Sequence, residues 1–150
     1  ILPAAATPAA SSDGNRTVTH NGFNSAVQVA PSGTTPVVND CSYLSATVGG
    51  GGSDTVDLTN VPGVTAAKDF STKKVMAFKI LNTGANPITI TPGGSNAYLL
   101  LGAGFSATIP PGGELFFASN SGSPTVDATH KNITVTGTAG QPYKIGMQAG

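Results

Sequence analysis

Beyond Asp54 no helical apolar pattern is sustained, because clusters of Gly, Pro, Asn and Ser cut the chain about every ten residues. Short runs remain between the cuts: Asp54–Asn60, Lys74–Asn82, Pro87–Thr91, Ala97–Leu101, Phe105–Ile109, Glu114–Ser119, Thr125–Ala128, Asn132–Thr136 and Tyr143–Met147. Separators such as Asn82-Thr-Gly-Ala-Asn-Pro87 and Pro110-Pro-Gly-Gly113 are rich in residues that accept positive φ or fix it by a ring. A chain built this way buries apolar surface by pairing strands and stacking sheets. The expected fold is all-β, an antiparallel β-sandwich or jelly-roll-like barrel. Thr65–Phe70 is the one helical candidate, and it is too short to stand alone.

Side-chain alternation sorts the faces. In Lys74–Asn82, Met76, Phe78 and Ile80 share one face, while Val75, Ala77, Lys79 and Leu81 share the other. A strand apolar on both sides belongs in the middle of a sheet. Ile88 with Ile90, and Ile133 with Val135, are apolar on one face and threonine-rich on the other, as half-exposed strands require. The predicted core is Met76, Phe78, Ile80, Ile88, Ile90, Leu115, Phe117, Ile133 and Val135.

Residues 1–53 read differently. They are poorer in large apolar side chains and richer in turn formers, with short β-like pieces at Arg16–His20, Ala26–Ala30 and Tyr43–Val48, and they end at Gly49–Gly52. Such a stretch suits an extended N-terminal arm ordered by a partner better than an independent fold. The expected organisation is therefore an arm over 1–53 and a sandwich over 54–150. Ile1 is no initiator, so the numbered chain is expected to follow a cleavage or a longer N-terminus.

Seven bases balance seven acids in 150 residues, and charged residues are 9% of the chain against about 25% in an average domain. No long-range field is available to concentrate nucleic acid or an anionic membrane, so neither is an expected partner. Hydration must come instead from 19 Thr and 13 Ser. No run approaches the roughly 20 apolar residues of a membrane-spanning helix. Cys41 is alone, so neither an internal disulfide nor a thiolate zinc site can form, and it reads as a small, partly buried apolar residue. His20 and His130 are the only bases near neutral pH, and both lie in loop-like contexts. The glycine loops are followed by strand-like residues rather than a helix N-terminus, which argues against phosphate binding. Asp54-Thr-Val-Asp57 is too sparse for calcium. No cofactor, metal or catalytic role is expected.

One asymmetry remains. Residues 1–60 carry Arg16 against Asp13, Asp40, Asp54 and Asp57, a net of −3, while residues 61–150 carry six lysines against Asp69, Glu114 and Asp127, a net of +3. Lys68, Lys73, Lys74 and Lys79 lie within twelve positions. They read either as a solvated edge that discourages strand addition or as a seam with the acidic zone of the same or a neighbouring subunit. Arg16, Phe23, Lys68, Lys73 and Lys74 are the candidate subunit contacts. Asn15-Arg-Thr17 and Asn132-Ile-Thr134 match the glycosylation pattern, which arises often by chance in such a Thr/Asn-rich chain.

The segment from Lys74 to Gly150 resembles small virion structural proteins of tailed bacteriophages, of the head-decoration (capsid cement) type. Four phrases carry the resemblance: Val75-Met-Ala-Phe-Lys-Ile-Leu-Asn-Thr-Gly84, Ile88-Thr-Ile-Thr-Pro-Gly-Gly-Ser-Asn96, Ile109-Pro-Pro-Gly-Gly-Glu-Leu-Phe-Phe117 and Val126-Asp-Ala-Thr-His-Lys-Asn-Ile-Thr-Val135. A similar close follows in Gly137-Thr-Ala-Gly140 and Tyr143-Lys-Ile-Gly-Met147. It covers about half the chain and leaves the first 50 residues unmatched. It implies a β-sandwich at the capsid surface, a trimer, and the major capsid protein as partner, with no enzymatic activity. The alternative is a tail-tip, fibre or carbohydrate-binding sandwich used in host attachment. Such modules grip sugars with exposed aromatics, and here there is no Trp and only Tyr43, Tyr98 and Tyr143 among Tyr.

Overall fold

The computed structural model describes residues 30–31, 37–63, 65–119 and 123–150. Two short strands, β1 (Ala30–Pro31) and β2 (Val37–Val38), pair in parallel ahead of the main body. Eight further strands follow: β3 (Asp40–Thr47), β4 (Ser53–Asp57), β5 (Val75–Asn82), β6 (Ile88–Pro92), β7 (Ala107–Ile109), β8 (Glu114–Ala118), β9 (Asn132–Gly137) and β10 (Pro142–Ala149). They form two antiparallel four-stranded sheets, ordered β3-β10-β5-β8 and β4-β9-β6-β7. That order is the doubly wrapped Greek key of a jelly roll. No described residue is helical.

The alternation in the sequence sets which faces meet. Phe78 and Ile80 of β5 lie beside Met147 and Ile145 of β10, and all four are buried against Ile133 and Val135 of β9 and Ile88 and Ile90 of β6. Leu115 and Phe117 of β8 pack at the margin, half-buried. β5 is an inner strand, as its two apolar faces require. Val75 joins Met76 in the interior because the pairing slips by one residue between Gln148 and Ala149, a bulge that turns two consecutive side chains inward.

Four expectations are corrected. The sandwich begins before Asp54: β3 lies within the stretch read as arm, yet it supplies eight residues of edge strand. Composition hid it because an edge strand buries only one face, here Ser42, Leu44 and Ala46. Ala97–Leu101 is not a strand. Only Ala97 bridges to Asn132; Tyr98 instead plugs the core, its hydroxyl donating to the Pro124 carbonyl (2.7 Å) and accepting from the Val75 N–H (3.2 Å). Thr125–Ala128 also fails to extend, because the Asp127 carboxylate accepts from the N–H groups of Thr129 (2.7 Å) and His130 (2.8 Å) and turns the chain. The marginal helix at Thr65–Phe70 is a loop closed by a Val61–Lys68 bridge.

The tetraglycine is the β3–β4 turn. A Cβ on Gly49 would lie 2.8 Å from the Ser53 carbonyl oxygen, and Gly52 sits at φ 76°.

Candidate interaction surface

The outward faces of the two sheets differ. On the β4-β9-β6-β7 sheet the register aligns Thr55, Thr134 and Thr91 in one row and Ser53, Thr136, Thr89 and Thr108 in the next. Thr89 and Thr108 join hydroxyls at 3.0 Å. These two rows are hydroxylated, as the alternation promised, and the next row of the same face is Asp57 beside Asn132.

The other sheet presents three different rows: Cys41-Gln148-Ala77-Ala118, Tyr43-Gly146-Lys79-Phe116 and Ser45-Lys144-Leu81-Glu114. Tyr43 is 59% exposed and Phe116 is 63% exposed. Adjacent strands are about 4.8 Å apart, so these two rings stand roughly 14 Å from each other on a rigid sheet. Gly146 and Lys79 stand between them, and beside that row Gly146, Ala77 and Ala118 leave a shallow depression of about 500 Å³, also bordered by Phe116, Lys79, Gln148 and Cys41, which is exposed where the sequence suggests partial burial. Lys79 does not present a free charge there, because Glu114 neutralises it at 2.6 Å. The alternation that turns Leu115 and Phe117 toward the core turns Phe116 outward, so its exposure is legible from the strand's phase.

A second feature lies on the side where edge strands β3 and β4 face each other. Among the described residues β3 pairs only with β10, and β4 only with β9. Two depressions, about 320 and 230 Å³, follow this side, the first at Ser42, Tyr43 and Gly63 and the second lined by Leu44, Ala46, Asp54 and Val56. The register pairs Asp54 with the core residue Val135, so its carboxylate points inward, where the Tyr143 hydroxyl donates to it. Burial and that carboxylate both push the Tyr143 hydroxyl pKa upward, so the phenol stays a donor. No described lysine or arginine pairs with Asp54.

The sequence-predicted contacts divide. Arg16 and Phe23 lie outside the described residues, as do the piece Arg16–His20, the triplet at Asn15 and all of Ala26–Ala30 except Ala30 itself. Lys68 and Lys73 both reach Asp40 at the head of β3, Lys68 at 2.9 Å. Lys131 pairs with Asp57 at 2.8 Å. The complementary halves are thus joined within one subunit. Lys73 and then Lys68 hold the Asp40 carboxyl below its ordinary range. Lys74 joins the fold through its backbone, exchanging hydrogen bonds with Gly150. The Asn132 amide donates to the Ser95 carbonyl (3.0 Å) while its oxygen is buried, a poor position for a glycan. His130 is exposed and shares the Asp127 carboxylate with its own loop (3.0 Å). Among the described residues no group of three His, Cys, Asp or Glu side chains is placed to hold a metal.

Searches against family models and curated proteins find no match. Among solved structures, a chain from the disulfide-linked pili of Bacillus endospore appendages is similar at 15% identity and TM-score 0.40, covering 83% of this chain and 95% of that one. A chain of the cyanophage Pam1 capsid asymmetric unit is similar at 17% identity and TM-score 0.34, covering 87% and 96%. Likenesses this loose transfer neither fold nor function, and the fold assignment rests on the strand pairings themselves.

Proposed function

We propose that this protein is a non-enzymatic structural component of a virion, a capsid decoration or cement protein whose sandwich sits on the shell as a trimer and binds the major capsid protein. The observation that carries the reading is the Tyr43–Phe116 row: two exposed aromatic rings on a rigid sheet, with Gly146 and the Glu114-paired Lys79 between them. Exposed apolar area of this kind marks contact with another macromolecule, and aromatic anchors dominate such contacts. The charge arrangement agrees. Asp40, Asp57 and Glu114 are already neutralised within the subunit, so little free charge is left for steering. Jelly rolls build both viral capsid and lectin domains, an analogy that by itself decides nothing about function.

Particles lacking the protein should assemble yet rupture at a lower temperature, since a ligand that binds only the intact lattice stabilises it by mass action. Adding back the wild-type chain should restore stability. Adding a Tyr43→Ser, Phe116→Ser double variant with an unchanged melting curve should not. The same aromatic row favours one rival, a sugar-binding module for host attachment. Particles of undiminished stability that fail to attach to cells would establish that rival.

A further inference from the structure

We infer that strand β8 is the contact through which two copies of this chain pair, edge to edge and antiparallel, about a two-fold axis at Phe116. The inference rests on the structural reading above and names a surface where copies join; it is separate from the three-fold contact proposed there. β8 pairs with β5 from Ala118 opposite Ala77 to Glu114 opposite Leu81 without a slip. Beyond its two ends the Ser119 N–H donates to the Met76 carbonyl (2.9 Å) and the Asn82 N–H to the Gly113 carbonyl (3.0 Å). Hydrogen-bonded positions alternate along an antiparallel ladder, so residues 113, 115, 117 and 119 turn their main-chain groups toward β5, and Glu114, Phe116 and Ala118 turn theirs away. Among the described residues nothing bonds to those outward groups, and the Glu114 and Phe116 side chains beside them are exposed.

The other three edges carry features that block strand addition. β3 has the 60–63 loop against it, with the Ser42 hydroxyl donating to the Pro62 carbonyl (2.6 Å). β4 turns the Asp54 carboxylate inward. β7 is three residues long and stops at Pro110. β8 has no lysine, no proline and no bulge, and Lys79 neutralises its one charge, Glu114, at 2.6 Å.

The strand also complements itself, as a two-fold contact between identical patches requires. With Phe116 on the axis, Phe116 meets Phe116 of the second copy, Glu114 meets Ala118, and Leu115 meets Phe117. Positions 114, 116 and 118 then exchange the main-chain bonds that one copy leaves unmade. The two glutamates stay apart, so like charges do not face each other. On the inner face Leu115 and Phe117 are half-buried at the margin of the core, and each gains an apolar neighbour across the seam. On the outer face the two Phe116 rings, each 63% exposed, stand on Cα atoms about 5.5 Å apart and can stack. Two four-stranded sheets become one of eight strands, and its outer row carries Tyr43 and Phe116 of both copies. The aromatic surface proposed to meet the shell is thereby doubled.

Sedimentation equilibrium and hydrogen exchange of the full chain test the site. The wild type should form pairs at or below about 1 mM, with the Phe116 and Ala118 amides exchanging fast in dilute solution and slowly once pairs form. Phe116→Pro removes an outward N–H that the ladder with β5 does not use, so the melting curve should hold while pairing weakens at least about tenfold. Phe116→Lys sets two ammonium groups face to face; it should weaken pairing as much, and it decides the matter if the proline variant melts early. In a Cys41→Ser background, Phe116→Cys should form a disulfide between copies at least about ten times faster than Tyr43→Cys, a comparably exposed position at the far edge of the same row. A wild type that stays monomeric at about 1 mM, association unchanged in both variants, amides already protected in the monomer, or equal crosslinking overturns the site. Absent pairing in a protein that still stabilises particles removes the site and leaves the structural reading. Pairing by a protein whose loss leaves particles equally stable does the reverse.

Discussion

Asp40 shows how one residue ties the two charge zones together. Its side chain is 13% exposed and accepts from both Lys68 and Lys73, which join the loop after β4 to the first residue of β3. Lys73 and then Lys68 lower its pKa from the ordinary 3.8, so the ion pairs stabilise the folded chain fully above about pH 4 and lose that contribution as pH falls through the lowered value. Lys68 is 42% exposed, so solvent screens its share and the pair contributes no more than about 1 kcal/mol. Asp40→Asn should therefore lower the melting temperature by a few degrees at pH 7, by progressively less as pH falls below 3.8, and by almost nothing once pH is under the lowered value. Thermal melts across that range check it; a deficit that persists in acid would mean the side chain acts by packing. The corner that delivers Lys73 contains Thr72 at φ 67°, a costly conformation for a β-branched residue.

Strand β5 is the element on which the fold depends most. It lies between β10 and β8, and Phe78 stands opposite Met147 on one side and Phe117 on the other. Removing that ring leaves a cavity that two hydrogen-bonded neighbours cannot collapse into. Phe78→Ala should cost ~3–5 kcal/mol, read by denaturant unfolding; a loss below about 1 kcal/mol would remove Phe78 from the core. This strand, its neighbour β10 and the Ile88/Ile90 and Ile133/Val135 pairs were legible in the sequence, because alternation alone fixes which side chains face inward. Ala97–Leu101 alternates too, with Tyr98 and Leu100 buried, but its backbone meets no strand partner beyond Ala97. Periodicity reports burial, and it cannot report pairing. The loop from Asn82 to Pro87 depends on a partner distant in sequence: Gln141 donates to the Asn82 side chain (2.9 Å) and the Asn86 carbonyl (2.6 Å). A buried amide pair of this kind has no local signature.

For the whole molecule, the distribution of polar groups sets the terms of association. One outward face carries two rows of Ser and Thr hydroxyls, the other carries Tyr43 and Phe116 at the ends of a row through Gly146 and Lys79, and three of the described acids are closed into lysine pairs within the subunit. Binding through the aromatic face should tolerate salt: affinity for particles, measured between about 0.05 and 0.5 M NaCl, should change less than about tenfold. The contact lacks the phosphate-type neutralisation that makes binding steeply salt-dependent. A steep loss with salt would mean that the lysines, not the rings, make the contact.

The sequence determined the fold class, the inward face of the strands and the scarcity of groups for chemistry, because each follows from residue type and a period of two. Tertiary structure alone decided that β3 belongs to the sandwich, that Lys68 and Lys73 turn inward to Asp40, and that Asp54 faces the interior beside Tyr143. These depend on which strands become neighbours and in what register. A shift of one residue would exchange every face, and short-range patterns cannot fix the pairing of segments as far apart as β3 and β10.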